Sequence, residues 1–373
     1  MKLRARDLGI IIGKKTPGKL NAITDIEGIR VGHSTIHTNT STGKNVNTGV
    51  TVIEPRSGLA RQSPCFAGIH VLNGNGDATG LEWIRESGLL TSPIAFTNTH
   101  SVGIVRDTLI MSERAALAIE DDTLYWSMPV VMETFDGLLN DINGFHVKAE
   151  HVLEAQQNAY SGQPEEGAVG GGSGMICHEF KGGIGTASRQ LDIKEGGWTV
   201  GAIVQANHGQ RENLRVDGYP VGKYLEHLPS PFKSRLSHSA GMGSIVVVIA
   251  TNAPLLPHQC TRLAQRASIG IARTGGGTEN SSGDIFLAFS TGNNNLPTAD
   301  YSRPGGFTVP VDMVNDSHIS ALFSAAADTV EESIINALIA AETVEGNGYI
   351  AQKLGQENLL TALIECGWNK NKT

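Results

Sequence analysis

Short apolar runs alternate along the chain with Gly- and Asn-rich breaks, and the period of the apolar positions separates strands from helices. Residues 48–53 (TGVTVI), 68–72 (GIHVL), 199–205 (TVGAIVQ) and 285–289 (IFLAF) are short runs bounded by turn residues and predict strands. A shorter strand is predicted at 28–31 and another at 130–132, just after Pro129. Residues 244–251 (SIVVVIAT) are β-branched almost throughout, which predicts a strand buried on both faces. Val105, Leu109, Ile110, Ala116 and Leu117 recur near helical spacing and predict a helix over 105–119. Further helices are predicted over 147–159, over 256–273 with Pro257 in the first turn, over 319–341 and over 357–366. Gly- or Asn-rich breaks fall at 73–80, 167–174 and 275–277. The order of strands and helices suits a layered α/β protein.

Residues 228–243 (LPSPFKSRLSHSAGMG) differ in kind. They carry Pro, Ser and Gly without any period and predict an exposed loop that stops where the strand at Ser244 begins.

Composition sharpens this picture at one point. Of 373 residues 45 are Gly, about 12 % against a usual ~7 %, so tight turns or close backbone approaches must be frequent. A net charge of −8 with scattered Lys and Arg argues against a nucleic-acid or acidic-membrane partner. The four cysteines, Cys65, Cys177, Cys260 and Cys366, are far apart and lack CxxC spacing, so free thiols in a reducing, cytoplasmic setting are expected. No apolar run approaches the ~18 residues of a membrane span, and the first residues lack a signal-peptide core. The length admits two domains or one large layered fold.

Several familiar motifs fail. Gly171-Gly172-Ser173-Gly174-Met175 lacks the last Gly of a nucleophile elbow, and the dinucleotide fingerprint breaks at Ser188. Neither a Walker A motif nor HExxH occurs, and His33 and His37 lack a third ligand candidate beside them. No metal and no cofactor are expected.

The junction Gly243-Ser244 carries the most chemistry. A Ser hydroxyl that opens a strand can attack the preceding carbonyl and turn the amide into an ester, and Gly at the preceding position places no Cβ in the way. Hydrolysis would free the Ser244 α-amine. With a reference pKa of ~7.7–8 it can serve as the base for its own hydroxyl. A plain loop-to-strand turn has the same local sequence.

GMGSIVVVIATNAPL (241–255) and ARTGGGTENSSGDIFLAFSTGN (272–293) resemble the small-subunit start of the L-aminopeptidase/D-esterase family. That is the family of the DmpA-type D-aminopeptidases and the bacterial β-peptidyl aminopeptidases. RARDLGI (4–10), ITDIEGIRVGHSTI (23–36), TGVTVIEPRSG (48–58), VLNGNGDATGL (71–81), TNTHSVGIVRD (97–107), ETFDGLLNDING (133–144), FKGGIGTASR (180–189) and QANHG (205–209) follow in the family's order.

The resemblance implies a four-layer αββα sandwich shared with ornithine acetyltransferase-like proteins. It implies one domain over 1–373, cut after Gly243 into 1–243 and 244–373. Ser244 then resembles the nucleophile and Asn207 the amide that holds the oxyanion. Ser282 and Asp284 resemble the Ser-x-acid pair beside the nucleophile, although some relatives carry Glu in place of Asp284. Glu133 resembles the carboxylate that receives the substrate's ammonium. Phe135 stands where relatives place Tyr or Trp, so its side chain can wall the pocket but cannot donate a hydrogen bond.

The implied activity is release of small N-terminal L-, D- or β-amino acyl residues from peptides, amides or esters. The implied assembly is a homotetramer. An ornithine acetyltransferase-like acyltransferase and an unprocessed, non-catalytic paralogue are the alternatives.

Overall fold

The computed structural model describes residues 2–117, 125–232, 243–298 and 306–369. In chain order the elements are β1 (Arg30–Asn39), β2 (Asn45–Glu54), β3 (Cys65–Gly74), α1 (Leu81–Ser87), β4 (Leu89–Leu90), β5 (Ile94–Asn98), α2 (Val102–Ala116), β6 (Val130–Thr134) and α3 (Ala149–Gln157). There follow β7 (Ile176–Cys177), β8 (Phe180–Lys181), β9 (Gly183–Gln190), β10 (Thr199–Asn207), β11 (Ser244–Thr251), α4 (Pro257–Ala264), α5 (Ala267–Thr274), β12 (Gly283–Ser290), α6 (Ser320–Ala340), β13 (Val344–Gly346), β14 (Tyr349–Ala351) and α7 (Gln356–Glu365).

Two sheets carry the fold: one in the order β1-β2-β5-β6, the other in the order β4-β3-β12-β11-β10-β9. Alternation along the strands sorts the apolar side chains into three layers of core. Along β11, Val246, Val248 and Ala250 face the other sheet, where they meet Ile53, Phe96, Val130 and Met132. The intervening Ile245, Val247 and Ile249 face away and pack with Leu263, Ile271, Val330 and Ile334 of α4, α5 and α6. On the far side of the four-stranded sheet, Val50, Val52, Ala95 and Val131 pack against Val105, Leu109 and Val152 of α2 and α3. The layers therefore run helix, sheet, sheet, helix, and the expected αββα sandwich is present.

The run 244–251 is a strand over its whole length and buried at every position, as its β-branched sequence predicts. The helix expected over 256–273 is instead two helices, α4 and α5, with a turn at Gln265 and Arg266. The bend has a packing cause: α4 lies on β3, whereas α5 lies on α6. The strand expected at 28–31 is the start of the much longer β1, paired with β2 along its full length. β9 (GIGTASRQ) gives no apolar signal because α6 lies directly on it through small residues. The loop expected over 228–243 falls mostly outside the described residues, since only 228–232 and Gly243 are described. None of the four cysteines is in a disulfide. Among the described residues no helix is long and apolar enough to cross a membrane.

Gly185 of β9 marks the closest approach. A Cβ there would lie inside the backbone oxygen of Ser333 and 2.8 Å from the backbone nitrogen of Ala337, both on α6. Backbone on both sides cannot yield cheaply. Gly185→Ala is therefore expected to destabilise the protein by about 1–3 kcal/mol or more. Thermal unfolding measures this, and an unchanged Tm would contradict the packing described.

Candidate active site

Ser244 is the first residue of β11, and the ladder fixes its neighbours. Asn207 of β10 lies opposite it on one side and Gly283 of β12 on the other. The Gly283 N–H donates to Ser244 Oγ at 3.1 Å, so the hydroxyl already sits against a backbone donor. Ser244 and Asn207 share strand faces with Val246 and Ile203, the faces turned towards the four-stranded sheet. Both are buried.

The side chain of Asn207 is held at both ends. Its Oδ1 accepts from the Ile176 N–H at 2.7 Å, and its Nδ2 donates to the Phe135 carbonyl at 2.9 Å. These bonds settle which end of the amide is nitrogen. They leave the second N–H of Nδ2 available to a reacting oxygen. Phe135 thus serves the site through its main chain, a role its side-chain identity could not reveal. Its ring lies against Gly137, where a Cβ would stand 2.5 Å from Phe135 Cζ.

Gly243 is set by close approach. A Cβ on it would fall 2.7 Å from the Asn207 carbonyl oxygen and 2.8 Å from His208 Cα. It is not among the residues of positive φ, so space rather than an unusual dihedral excludes a side chain here. The Gly243-Ser244 junction and the Asn207 backbone are consequently in van der Waals contact.

Ser282 and Asp284 are hydrogen-bonded to one another. Ser282 Oγ donates to Asp284 Oδ1 at 2.5 Å, and the Ile245 N–H also bonds the carboxylate. Asp284 Oδ2 is buried without a partner. Burial pushes the Asp284 carboxyl up to about 6, against the lowering effect of those two bonds. A bulge between Asp284 and Ile285 interrupts the pairing of β12 with β3 at this point.

Glu133 lies on β6 and is buried. Its Oε1 accepts from the Asp77 N–H at 2.9 Å, and its Oε2 accepts from the Thr99 hydroxyl. Among the described residues it has no ion pair, and burial raises its pKa above the usual carboxylate value. Gly76 links it to the nucleophile side: a Cβ on Gly76 would stand 3.2 Å from Glu133 Oε1 and 3.2 Å from Gly283 Cα. A buried carboxylate with neutral donors and no ion pair can receive a cation.

Two features were hidden from sequence reasoning. Lys181 is fully buried and donates through Nζ to the carbonyls of Gly172, Met175 and Gly182 at 3.0, 2.8 and 2.8 Å. It braces the backbone on either side of Ile176, and burial lowers its pKa to about 7. No motif marks such a residue, since its acceptors are all main chain. The second is a cluster of donor atoms from Cys177, His178 and His208, brought within 4.8 Å of one another by the fold. Their separation along the chain gives no ligand spacing. His33, by contrast, is an ordinary strand histidine whose Nδ1 meets Thr51 Oγ1 at 2.9 Å.

Comparison with known proteins agrees with this geometry. A β-peptidyl aminopeptidase of Sphingosinicella microcystinivorans is 45 % identical over 96 % of this chain and 91 % of its own. The structure of a β-aminopeptidase from a Burkholderia species superposes with a TM-score of 0.93 at 64 % identity, covering 98 % of this chain and 100 % of its own. The L-aminopeptidase D-Ala-esterase/amidase of Ochrobactrum anthropi, a prototype serine aminopeptidase with a variant of the Ntn hydrolase fold, gives 0.90 at 43 % identity, covering 98 % and 99 %. The model of peptidase family S58 matches residues 21–351. The chain therefore belongs to peptidase family S58 and is a hydrolase of the aminopeptidase kind.

Proposed function

We propose that the chain cuts itself between Gly243 and Ser244 and then works as a serine aminopeptidase, with Ser244 as nucleophile. The observation that carries this reading is the contact of the Gly243-Ser244 junction with Asn207, whose amide keeps one N–H free beside the hydroxyl. For cleavage, Ser244 Oγ attacks the Gly243 carbonyl, the amide becomes an ester, and water releases Gly243 as a carboxylate. Asn207 supports the oxyanion in this step and again in turnover. One such donor is typically worth ~3–4 kcal/mol.

In turnover the ammonium of the substrate settles on Glu133, which fixes the first carbonyl over Ser244. The freed Ser244 α-amine takes the hydroxyl proton and returns it to the leaving amine. Water then clears the acyl-enzyme. Asp284 Oδ2, buried and unpartnered, suits the new α-ammonium, and Ser282 orients that carboxylate.

The substrates are peptides, amides and esters with a small N-terminal residue, and we expect β-amino acyl residues among them because two of the relatives named above are a β-peptidyl aminopeptidase and a β-aminopeptidase. The protein works as a homotetramer of cut protomers in the cytoplasm. Phe307, Val309, Val311 and Met313 are all exposed on alternate positions, and they offer an apolar stripe for such assembly. Free thiols suit the reducing compartment.

A denaturing gel tests the cut. The active protein should give bands of about 26 and 14 kDa, the 39.5 kDa chain divided in the ratio 243 to 130. Ser244→Ala should stay whole and inactive. A single full-length band from active protein overturns the mechanism.

The ammonium receptor is tested separately with β-Ala, L-Ala and D-Ala p-nitroanilides. Glu133→Gln keeps the shape and removes the charge, and should cost kcat/KM about 10- to 100-fold, mostly through KM. Unchanged KM would remove Glu133 from this role.

The sign of the pH effect follows from Asp284. Its carboxyl is held up near 6, so it keeps its proton below that pH and is ionised above it. An ammonium on Ser244 lowers that value, so the pairing is lost, and kcat/KM should fall, at a pH below about 6. Stability runs the other way: a folded pKa above the ordinary carboxyl value of 3.8 means that folding loses stability as pH rises across that interval. Asp284→Asn should flatten the acid limb of the rate profile, and a limb that persists unchanged assigns it to another group.

A further inference from the structure

Behind Asn207 lies a cluster that the mechanism does not use. Cys177 ends β7, His178 follows it in the turn to β8, and His208 follows Asn207 at the end of β10. All three are buried. The His178 N–H donates to the His208 carbonyl at 2.7 Å, which ties the turn to the strand end. The imidazoles stand edge to face with centroids 5.2 Å apart. Cys177 Sγ is 3.8 Å from His208 Nδ1.

Three observations point to a ligand. First, the Nε2 atom of His178 is buried with no partner, while His208 turns its Nδ1 towards Cys177 Sγ. Leaving such an atom unpaired typically costs ~1–3 kcal/mol. Second, His178 Nδ1 lies 3.0 Å from the Gln210 carbonyl, an acceptor that places the ring proton on Nδ1 and leaves the Nε2 lone pair free. A histidine whose other nitrogen donates to a carbonyl is the usual form of a metal ligand. Third, His178 and Glu179 take φ of 47° and 61°, the left-handed pair that a two-residue hairpin turn requires, so the turn fixes the direction of the His178 side chain. This two-residue turn between Cys177 and Phe180 aims the His178 ring back at His208.

Glycines pack against both rings: a Cβ on Gly209 would collide with His178 Cε1, and one on Gly276 would collide with His208 Cδ2.

We propose that Cys177, His178 and His208 form a site for one thiophilic d10 metal ion, Cu⁺ or Zn²⁺, that clamps the β7–β8 turn to the end of β10. One thiolate and two imidazoles are the donors such ions select. With Zn–S near ~2.3 Å and Zn–N near ~2.0 Å, sulfur and nitrogen ligands stand roughly 3.6 Å apart, close to the Cys177–His208 separation. All the donors lie within 4.8 Å, so the site closes with shifts of about 1 Å or less. On binding, the thiol passes its proton to solvent and the thiolate takes the ion. A monovalent ion then leaves the buried site neutral, whereas Zn²⁺ leaves it with one positive charge and wants a fourth ligand. The donor number and the charge favour Cu⁺.

The clamp reaches the catalytic framework by one residue on each side. Ile176, which holds Asn207 Oδ1, precedes Cys177, and Asn207 precedes His208. Loading should therefore change turnover as well as stability.

The test uses the full-length reduced protein, stripped of metal. Cu⁺ is titrated against a chromophoric copper(I) chelator, and Zn²⁺ in parallel against a zinc dye. The expected result is one ion per chain, with X-ray absorption showing one sulfur and two nitrogens in the first shell. Cys177→Ser and His178→Gln should each weaken binding at least about tenfold. Cys366→Ser, outside the cluster, should leave it unchanged. Stoichiometric Zn²⁺ with the same shell, and no Cu⁺, keeps the site and overturns the preference for copper. No stoichiometric ion, a shell without sulfur, or affinity untouched by Cys177→Ser overturns the proposal. If Cys177→Ser does not fold, the absorption spectrum of the unaltered protein decides.

Discussion

The side-chain amide of Asn207 is the bond on which the rest of the site depends. It takes the Ile176 N–H of one hairpin and gives a hydrogen bond to the Phe135 carbonyl just beyond β6, while its own backbone is paired in β10. Three segments from both sheets meet at that one group, opposite the first residue of β11. Neighbouring polar groups continue the tie. Gln205, two residues earlier on the same face, donates to the Thr97 carbonyl and to Thr134 Oγ1 at 3.0 and 2.8 Å. The space between the sheets is otherwise apolar, so each such bond must be made or its desolvation cost stands uncompensated. The result is an amide fixed in position and orientation before any charge develops, which is the condition for electrostatic stabilisation of an oxyanion.

The charges of the site obey the same constraint with the opposite outcome. Glu133 and Asp284 are both buried carboxyls raised by desolvation, and neither has an ion-pair partner among the described residues. In a fold meant only to be stable these would be liabilities. In an aminopeptidase they are two halves of a recognition problem. On the reading proposed above, one ammonium arrives with the substrate and the other would be created by a cut before Ser244. Some buried charges elsewhere are paired within the fold. Arg189 and Glu332, neither exposed at all, meet at 2.5 Å, and Arg4 meets Glu166 at 2.7 Å.

Much of this was legible in the chain itself. The β-branched run at 244–251 specified its own strand because burial on both faces requires apolar residues at every position. Ser244, Asn207, Ser282 and Asp284 were readable through a family pattern, and the ladder brings them together. Elements held by contact rather than by pattern were not readable. β9 looks like a loop because α6 packs on it through Gly185, and the turn between α4 and α5 reflects two different surfaces beneath one apolar run. Lys181 and the Cys177, His178 and His208 cluster were invisible for a related reason. Their partners are main-chain carbonyls or residues some 30 positions away, and neither leaves a spacing to find.

The excess of glycine acquires a physical meaning from the same contacts. At Gly243 a methyl group would collide with the Asn207 carbonyl, and at Gly76 it would press between Glu133 and Gly283. Both sites lack a side chain because backbone must pass within van der Waals distance of a reacting group. Asp284 has a carboxylate one methylene shorter than Glu, and a bulge interrupts the pairing of β12 with β3 beside it. The Ser282 bond at 2.5 Å and the Ile245 N–H both land on the carboxylate despite its shorter stem.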